Sequence, residues 1–412
     1  MTSHPNATLL VFIAGYAALA VGHLFSFKIN RTGIALLGAI LMVTVGGFPP
    51  HQALLAVNFP TLITLYALMI LSGQLWLSGF FTWVAQKIAS ALDRPKVFLF
   101  QLMAASALLS AFLINDVVCL AFTPVVTLAV LRKGLNPLPF LMGLALAANI
   151  GAAATPIGNP QNIMVSSMAR LHFSQYLLWS LPPTLLALAA AYGLTWALGR
   201  KDLKTVQAPR PLEEAFPVLD RRETTKGLLL FGIVVALFFT PLPRDLVMLS
   251  AAGILLLSRR ISSTDLLGRV DYSILTLFTG LFIIVGGLRD TAFPAMALRA
   301  LQSWGVDPHN PYLLTLVTAA FSNLMSNAAT VMLLAKTLSL QDTATAMVLA
   351  LSNSFAGNLL IIGSIANLIV AEQAARYGVE IRFRAFARYG LPVTAVSLAI
   401  LMGWIWLRLR WG

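Results

Sequence analysis

Seven apolar segments run through the first half of this chain, and seven follow in the same order through the second. The first series covers residues 7–27, 33–48, 59–81, 97–113, 117–131, 140–168 and 176–198. The second covers 227–242, 246–257, 273–288, 312–324, 328–340, 343–374 and 389–407. A helix needs about 20 residues to cross the hydrocarbon layer of a bilayer. The runs are continuous rather than alternating, which predicts helices and not a β-barrel. Only 10% of the residues are charged, against about 25% in soluble domains. That is too little charge to clothe a water-facing surface. The segment 7–27 lacks a basic leader and a clear cleavage site, so it reads as a first span.

The two series match residue by residue. Ser72-Gly73-Gln74-Leu75 falls where Val285-Gly286-Gly287-Leu288 falls, Asp116 matches Asn327, Gly158 and Asn162 match Gly363 and Asn367, and Leu181-Pro182 matches Leu391-Pro392. The shift between partners drifts only from 213 to 205 residues. If the fourth and fifth segments of each half form a hairpin that returns to its own side, and the long sixth segment crosses once, each half crosses five times. Five is odd, so the second half is inverted. With the N-terminus outside, Arg170, Arg244, Arg289, Arg299, Lys336, Arg408 and Arg410 lie on the outer side, leaving 21 of the 28 basic residues inside. That bias has the sense expected of a cytoplasmic face. The expected fold is an all-α polytopic membrane protein of two inverted repeats, each with five spans, a re-entrant hairpin and a broken helix. Residues 7–198 form the first repeat, 199–226 a water-exposed cytoplasmic linker, and 227–408 the second. Both termini are expected outside, in a bacterial inner membrane. The net charge of +13 is spread through short loops, as membrane orientation requires, and not clustered as a nucleic-acid binder would have it.

Inside these apolar runs sit polar groups that lipid would not tolerate. Asn115-Asp116 and Ser326-Asn327 fall at the hairpin tips. A carboxylate as deep as Asp116 demands a cation, a donor network or a proton. It also suits a helix cap, satisfying N–H groups at the start of 117–131. Thr155-Pro156-Ile157-Gly158-Asn159-Pro160-Gln161-Asn162 cannot continue a helix, because two prolines remove donors and Gly158 permits unusual dihedrals. Two half-helices should meet there, with N–H groups suited to an anion and freed carbonyls suited to a small cation such as sodium. Gly357-Asn358 through Gly363-Ser364 repeats the arrangement without proline. Asn149, Asn353 and Asn358 also suit hydrogen bonding between helices. Paired interruptions in two halves of a chain mark a transporter binding site. The candidate substrate- or ion-binding residues are Asn115, Asp116, Thr155, Gly158, Asn159, Asn162, Ser326, Asn327, Asn358, Gly363, Ser364 and Asn367, with sodium favoured near Asp116 and Gly158.

Other chemistry finds no support. Cys119 stands alone with no basic neighbour and reads as a packing residue. His4, His23, His51, His172 and His309 form no ligand cluster, and zincin and phosphate-loop signatures are absent. Glu372 and Asp290 read as interfacial charges, and Lys336 as a side chain reaching for water. No catalytic constellation, resident metal or cofactor is expected.

The motifs Asn115-Asp116-Val117-Val118, Asn149-Ile150-Gly151 through Gly158-Asn159-Pro160-Gln161-Asn162, and Ala356-Gly357-Asn358-Leu359 through Asn367-Leu368 resemble the ion transporter superfamily over nearly the whole chain. That superfamily includes divalent-anion/sodium symporters such as citrate carriers, arsenite permeases and sodium/proton antiporters. The resemblance implies two re-entrant hairpins and two broken helices around one site, often in a homodimer with an elevator-like motion. It implies a small anionic solute moved together with sodium or protons. Carboxylate symporters typically carry Ser-Asn-Thr at both tips. Here a hydroxyl is missing from each tip and the first gains an acid, which is closer to the arsenite permease and antiporter branches.

Overall fold

The computed structural model describes residues 5–21, 27–200, 202, 216–289, 291, 293, 296, 299, 303, 307, 310–338 and 340–411. His4, His23, Asp290, His309 and residues 203–215 of the expected linker lie outside the described residues. Among the described residues no strand forms, and the regular structure is helical. The helices are α1 Pro5–Val21, α2 Arg31–Thr44, α3 Pro50–Ala56, α4 Phe59–Leu77, α5 Phe80–Ala89, α6 Pro95–Phe112, α7 Asn115–Arg132, α8 Leu138–Ala152, α9 Pro160–Met168 and α10 Phe173–Gly199. They continue as α11 Arg221–Leu237, α12 Arg244–Leu256, α13 Ser263–Leu267, α14 Tyr272–Arg289, α15 Pro311–Met325, α16 Asn327–Thr337, α17 Thr343–Ala356, α18 Ile365–Ala375 and α19 Phe383–Trp411. Their starts are written locally. Proline opens α6, α8, α9 and α15, where its missing N–H costs nothing. Asn30, Asn58, Asn159 and Asn310 cap α2, α4, α9 and α15 through side-chain oxygens.

Among the described residues, five helices (Phe59–Leu77, Pro95–Phe112, Asn115–Arg132, Phe173–Gly199 and Phe383–Arg410) are long and apolar enough to cross a membrane. At the ends of α10 and α19, the Arg408 guanidinium lies over the rings of both Trp179 and Trp404, 5.5 and 5.2 Å from their centres. Such cation–aromatic pairs suit the headgroup layer, where one end of each side chain is wet.

Packing partners are exchanged between the halves. α2 lies on α14 and α12 on α4, and α7 lies on α18 and α16 on α9, whereas α6 on α8 and α15 on α17 pack within their own halves. The broken helices thus stand between the two hairpins, with their breaks toward the centre. Close approach sets part of this arrangement. A Cβ added at Gly151 of α8 would sit 2.2 Å from the Ala107 carbonyl oxygen of α6, whereas one at Gly193 would meet nothing within 4 Å. Gly151→Ala should therefore cost about 1–3 kcal/mol through overpacking and lower the thermal midpoint in detergent. Gly193→Ala should leave it unchanged or slightly raised.

Three expectations need correction. The segment 59–81 is two helices, because Gly79 adopts a left-handed conformation (φ 76°) that ends α4 at Leu77. A side chain there would also collide with the Val218 carbonyl oxygen at 2.6 Å. The linker is not wholly water-exposed, since its last residues form the first turn and a half of α11. Glu223 and Thr224 are buried there, and Gln74 donates to the Glu223 carbonyl oxygen at 2.7 Å. Gly158 has no unusual dihedral. It is needed because a Cβ would lie 2.3 Å from the Ala152 carbonyl oxygen.

Asp220 fastens the start of α11. Its carboxylate accepts from the Arg222 and Glu223 N–H groups at 2.9 and 3.2 Å and pairs with Arg260 at 3.0 Å. The Glu223 N–H, then Arg260, hold its carboxyl below the usual range. A lowered folded-state value adds stability above the ordinary carboxylate pKa, and that stability is lost as pH falls through the lowered one. Amide protection at the start of α11, taken relative to the intrinsic exchange rate, should therefore fall on acidification below about pH 4. Asp220→Asn should remove that dependence.

Candidate functional site

Each hairpin turns without a loop of its own. α6 passes to α7 through Leu113-Ile114, and α15 to α16 through Ser326. Ser326 holds φ 114° and ψ 154°, a strained state for a residue with a side chain, costing of the order of 1–3 kcal/mol. The first break spans 153–159. The second spans 357–364 and includes the short 3-10 turn Ile361–Gly363.

The two breaks are sewn in the same way. The Asn162 amide donates to the carbonyls of Ala152 and Thr155, at 3.0 and 3.4 Å. The Asn367 amide donates to those of Gly357 and Leu360, at 2.8 and 3.2 Å. These four acceptors occupy equivalent places under a shift of 205 residues. The Gly158 carbonyl accepts from the Asn115 N–H at 3.2 Å, tying the first tip to the first break. Thr155 donates through its hydroxyl to the Ala111 carbonyl. Much of the carbonyl charge freed by the breaks is thus already partnered.

The halves then clasp each other. Asn159 donates to Ser354 at 3.0 Å, and Ser354 donates to the Asn162 side-chain oxygen at 3.2 Å. Under the same shift this becomes Ser364 to Asn149 at 3.0 Å and Asn149 to Asn367 at 2.9 Å, both of which are present. Asn149 also accepts from Asn115 at 3.0 Å and donates to Asn358 at 2.9 Å. At the second tip, Ser322 donates to Asn353 at 2.9 Å and also bonds Asn327.

These elements enclose a cavity of about 40 Å³, space for a few waters or one small solute. Among the predicted residues, Asn115, Asp116, Asn159, Ser326, Asn327, Gly363 and Ser364 line it. Thr155, Gly158, Asn162, Asn358 and Asn367 stand behind the wall, holding it in shape. Arg31, Asn149, Gln161 and Ser354 also line the cavity. Asn149 and Ser354 are mates under the 205-residue shift, a signal present in the sequence. Arg31 carried no local signal, since it opens a helix that looked like a loop end.

Asp116 does not cap its helix. The N-cap of α7 is Ile114, and no side chain caps that end. The Asp116 carboxylate is 8% exposed and has no hydrogen bond or ion pair among the described residues. Asp271 adds a second negative charge acting on it. The Arg31 guanidinium, half-buried, is likewise without a hydrogen bond or ion pair. One cavity therefore holds an acid and a base more than 4 Å apart, among neutral donors and acceptors. The described residues contain no cluster of His, Cys, Asp and Glu that could hold a metal tightly.

The citrate transporter family pattern matches residues 16–339. The chain belongs to the citrate transporter family. It is an integral membrane transporter and not an enzyme. An uncharacterised transporter of Mycobacterium tuberculosis is 31% identical over 97% of this chain and 98% of its own length. A silicon efflux transporter of Oryza sativa is 28% identical over 90% of this chain and 91% of its own. Among solved structures, the YdaH transporter of Alcanivorax borkumensis superposes with a TM-score of 0.60 at 15% identity, covering 99% of both chains. That likeness concerns the fold.

Proposed function

We propose that this family member is a secondary active transporter that moves a small anion, inorganic or organic, coupled to sodium or protons. The observation that carries the reading is the unpartnered Asp116 carboxylate facing a cavity that also contains Arg31. The walls of the empty cavity carry one charge of each sign, Asp271 lying outside them. An anion seated on Arg31, with Asn115, Asn159 and Ser364 as neutral contacts, leaves Asp116 uncompensated. A cation or proton at Asp116 alone leaves Arg31 uncompensated. Only the empty and doubly loaded cavities are balanced, and an unbalanced charge in a low-dielectric interior is costly. Coupling then follows from charge balance. The size of the cavity favours an oxyanion or small oxyacid over a tricarboxylate.

The two halves act as inverted repeats, 7–198 and 227–408, joined by a cytoplasmic 199–226, in a bacterial inner membrane with both termini outside and with a homodimer as the assembly. The test is uptake into proteoliposomes of citrate, sulfate, arsenite and silicate under imposed sodium or pH gradients. Arg31→Gln should lower uptake of the transported anion at least about tenfold, equivalent to about 1.4 kcal/mol, and Arg31→Lys should restore part of it. Undiminished uptake by Arg31→Gln would overturn the anion role.

The second reading is a sodium/proton antiporter or arsenite efflux permease. It is favoured by the acid gained at the first tip, Asn115-Asp116-Val117, where carboxylate symporters carry Ser-Asn-Thr. Salt and arsenite tolerance in a deficient strain separates it from uptake. The silicon efflux transporter of rice points in the same direction for a small oxyacid.

A further inference from the structure

A second cavity lies on the far side of the first break, with a volume of about 530 Å³. Its walls include Arg244, Thr64 and Ile157. A shift of 213 residues carries Arg244 onto Arg31 and Thr64 onto Leu277, and a shift of 205 carries Ile157 onto Ile362. Arg31, Leu277 and Ile362 all line the central cavity. The two arginines open equivalent helices, α2 and α12, each packed against the third span of the opposite half. The large cavity is thus built from the partners, under the repeat, of residues that form the arginine side of the central one.

A single stretch of unwound chain separates them. Pro156 and Ile157 face the large cavity, while Asn159, Pro160 and Gln161 face the central one. Arg170 and Arg244 bring two positive charges to the large cavity, and Asp245 brings one negative charge. His172 also lines it. Arg244 is half-buried and is held by donating to the Ser166 carbonyl oxygen at 3.3 Å. In a carrier made of two exchanged halves, the route used from one face is copied on the other by the opposite half's residues.

We propose that the cavity at Arg244 is the access vestibule from the face opposite Arg31, and that it collects small oxyanions on Arg244 and Arg170. The proposal rests on the anion-transport reading and names a separate site for it. The test uses full-length protein with Cys119→Ala and one new cysteine. Thr240→Cys lies in the vestibule wall and is exposed. Thr44→Cys, exposed at the end of α2, is the control. Both are modified with anionic sulfonatoethyl and cationic trimethylammonioethyl methanethiosulfonate. The anionic-to-cationic rate ratio at Thr240→Cys should exceed the control's by about tenfold at low salt and shrink at high salt. Arg170→Gln with Arg244→Gln should bring it to the control's value, and Arg244→Lys should keep it. Because Arg244 holds a backbone oxygen, exposed Arg170→Gln alone is a second variant, expected to remove part of the preference. A ratio equal to the control's, or one indifferent to both arginines and to salt, would overturn the vestibule. The transport reading would survive that result, and it would fall instead if gradients drove no uptake while the charge preference held.

Discussion

Asp116→Asn is expected to uncouple transport. The amide keeps the shape of the side chain and loses the charge that requires a cation. Gradient-driven uptake should fall at least about tenfold, equivalent to about 1.4 kcal/mol, and whatever flux remains should no longer follow the sodium or pH gradient. The thermal midpoint of the same variant without ions should stay close to the parent's, because the amide sheds the burial cost of a carboxylate that has no hydrogen bond but leaves Arg31 without a counter-charge in the cavity. Lost coupling at an unchanged midpoint distinguishes a binding group from a structural one, whose loss would lower both. A variant whose uptake tracked the gradient as the parent's does would remove Asp116 from the coupling.

Asn149→Ala should give the largest loss of stability at any single position of the site. Asn149 is 3% exposed and ties α8, just before the first break, to the first tip through Asn115 and to the second break and its following helix through Ser364, Asn358 and Asn367. Truncation leaves four buried polar groups short of a partner. Hydrogen bonds between membrane helices contribute about 0.6–1.7 kcal/mol each, so the expected loss is about 2–5 kcal/mol, read as the thermal midpoint in detergent. Asn149→Leu should be as damaging as alanine, because the need is for a donor and an acceptor rather than volume. A leucine variant melting with the parent would show that the clasp contributes little.

The breaks were legible because their causes are local. Pro156 and Pro160 forbid a continuous helix, and Asn159 supplies the cap that restarts one. The second break lacks proline and was legible only through its match to the first. The turns from α6 to α7 and from α15 to α16 fall within two residues of the polar pairs read from the sequence, which left Asp116 open between a cap and an ion ligand. A cap and an ion ligand want the same residue at the same place, and only the absence of a hydrogen bond to the α7 N–H groups separates them. Gly158 was understood for the wrong reason, because close approach to Ala152 depends on how the two half-helices meet.

By itself the sequence determined that the chain is helical and membrane-embedded, with breaks in two long apolar segments and polar residues where helices turn back. Those properties follow from run length, proline chemistry and repetition along the chain. Only the tertiary structure decided which polar groups share a cavity and which merely hold its wall. Asn149 meets Asn358 and Asn367 across more than 200 residues of chain, and Arg31 reaches the cavity from outside every motif. Such meetings depend on exchanged packing between the halves, and no local period or spacing encodes them.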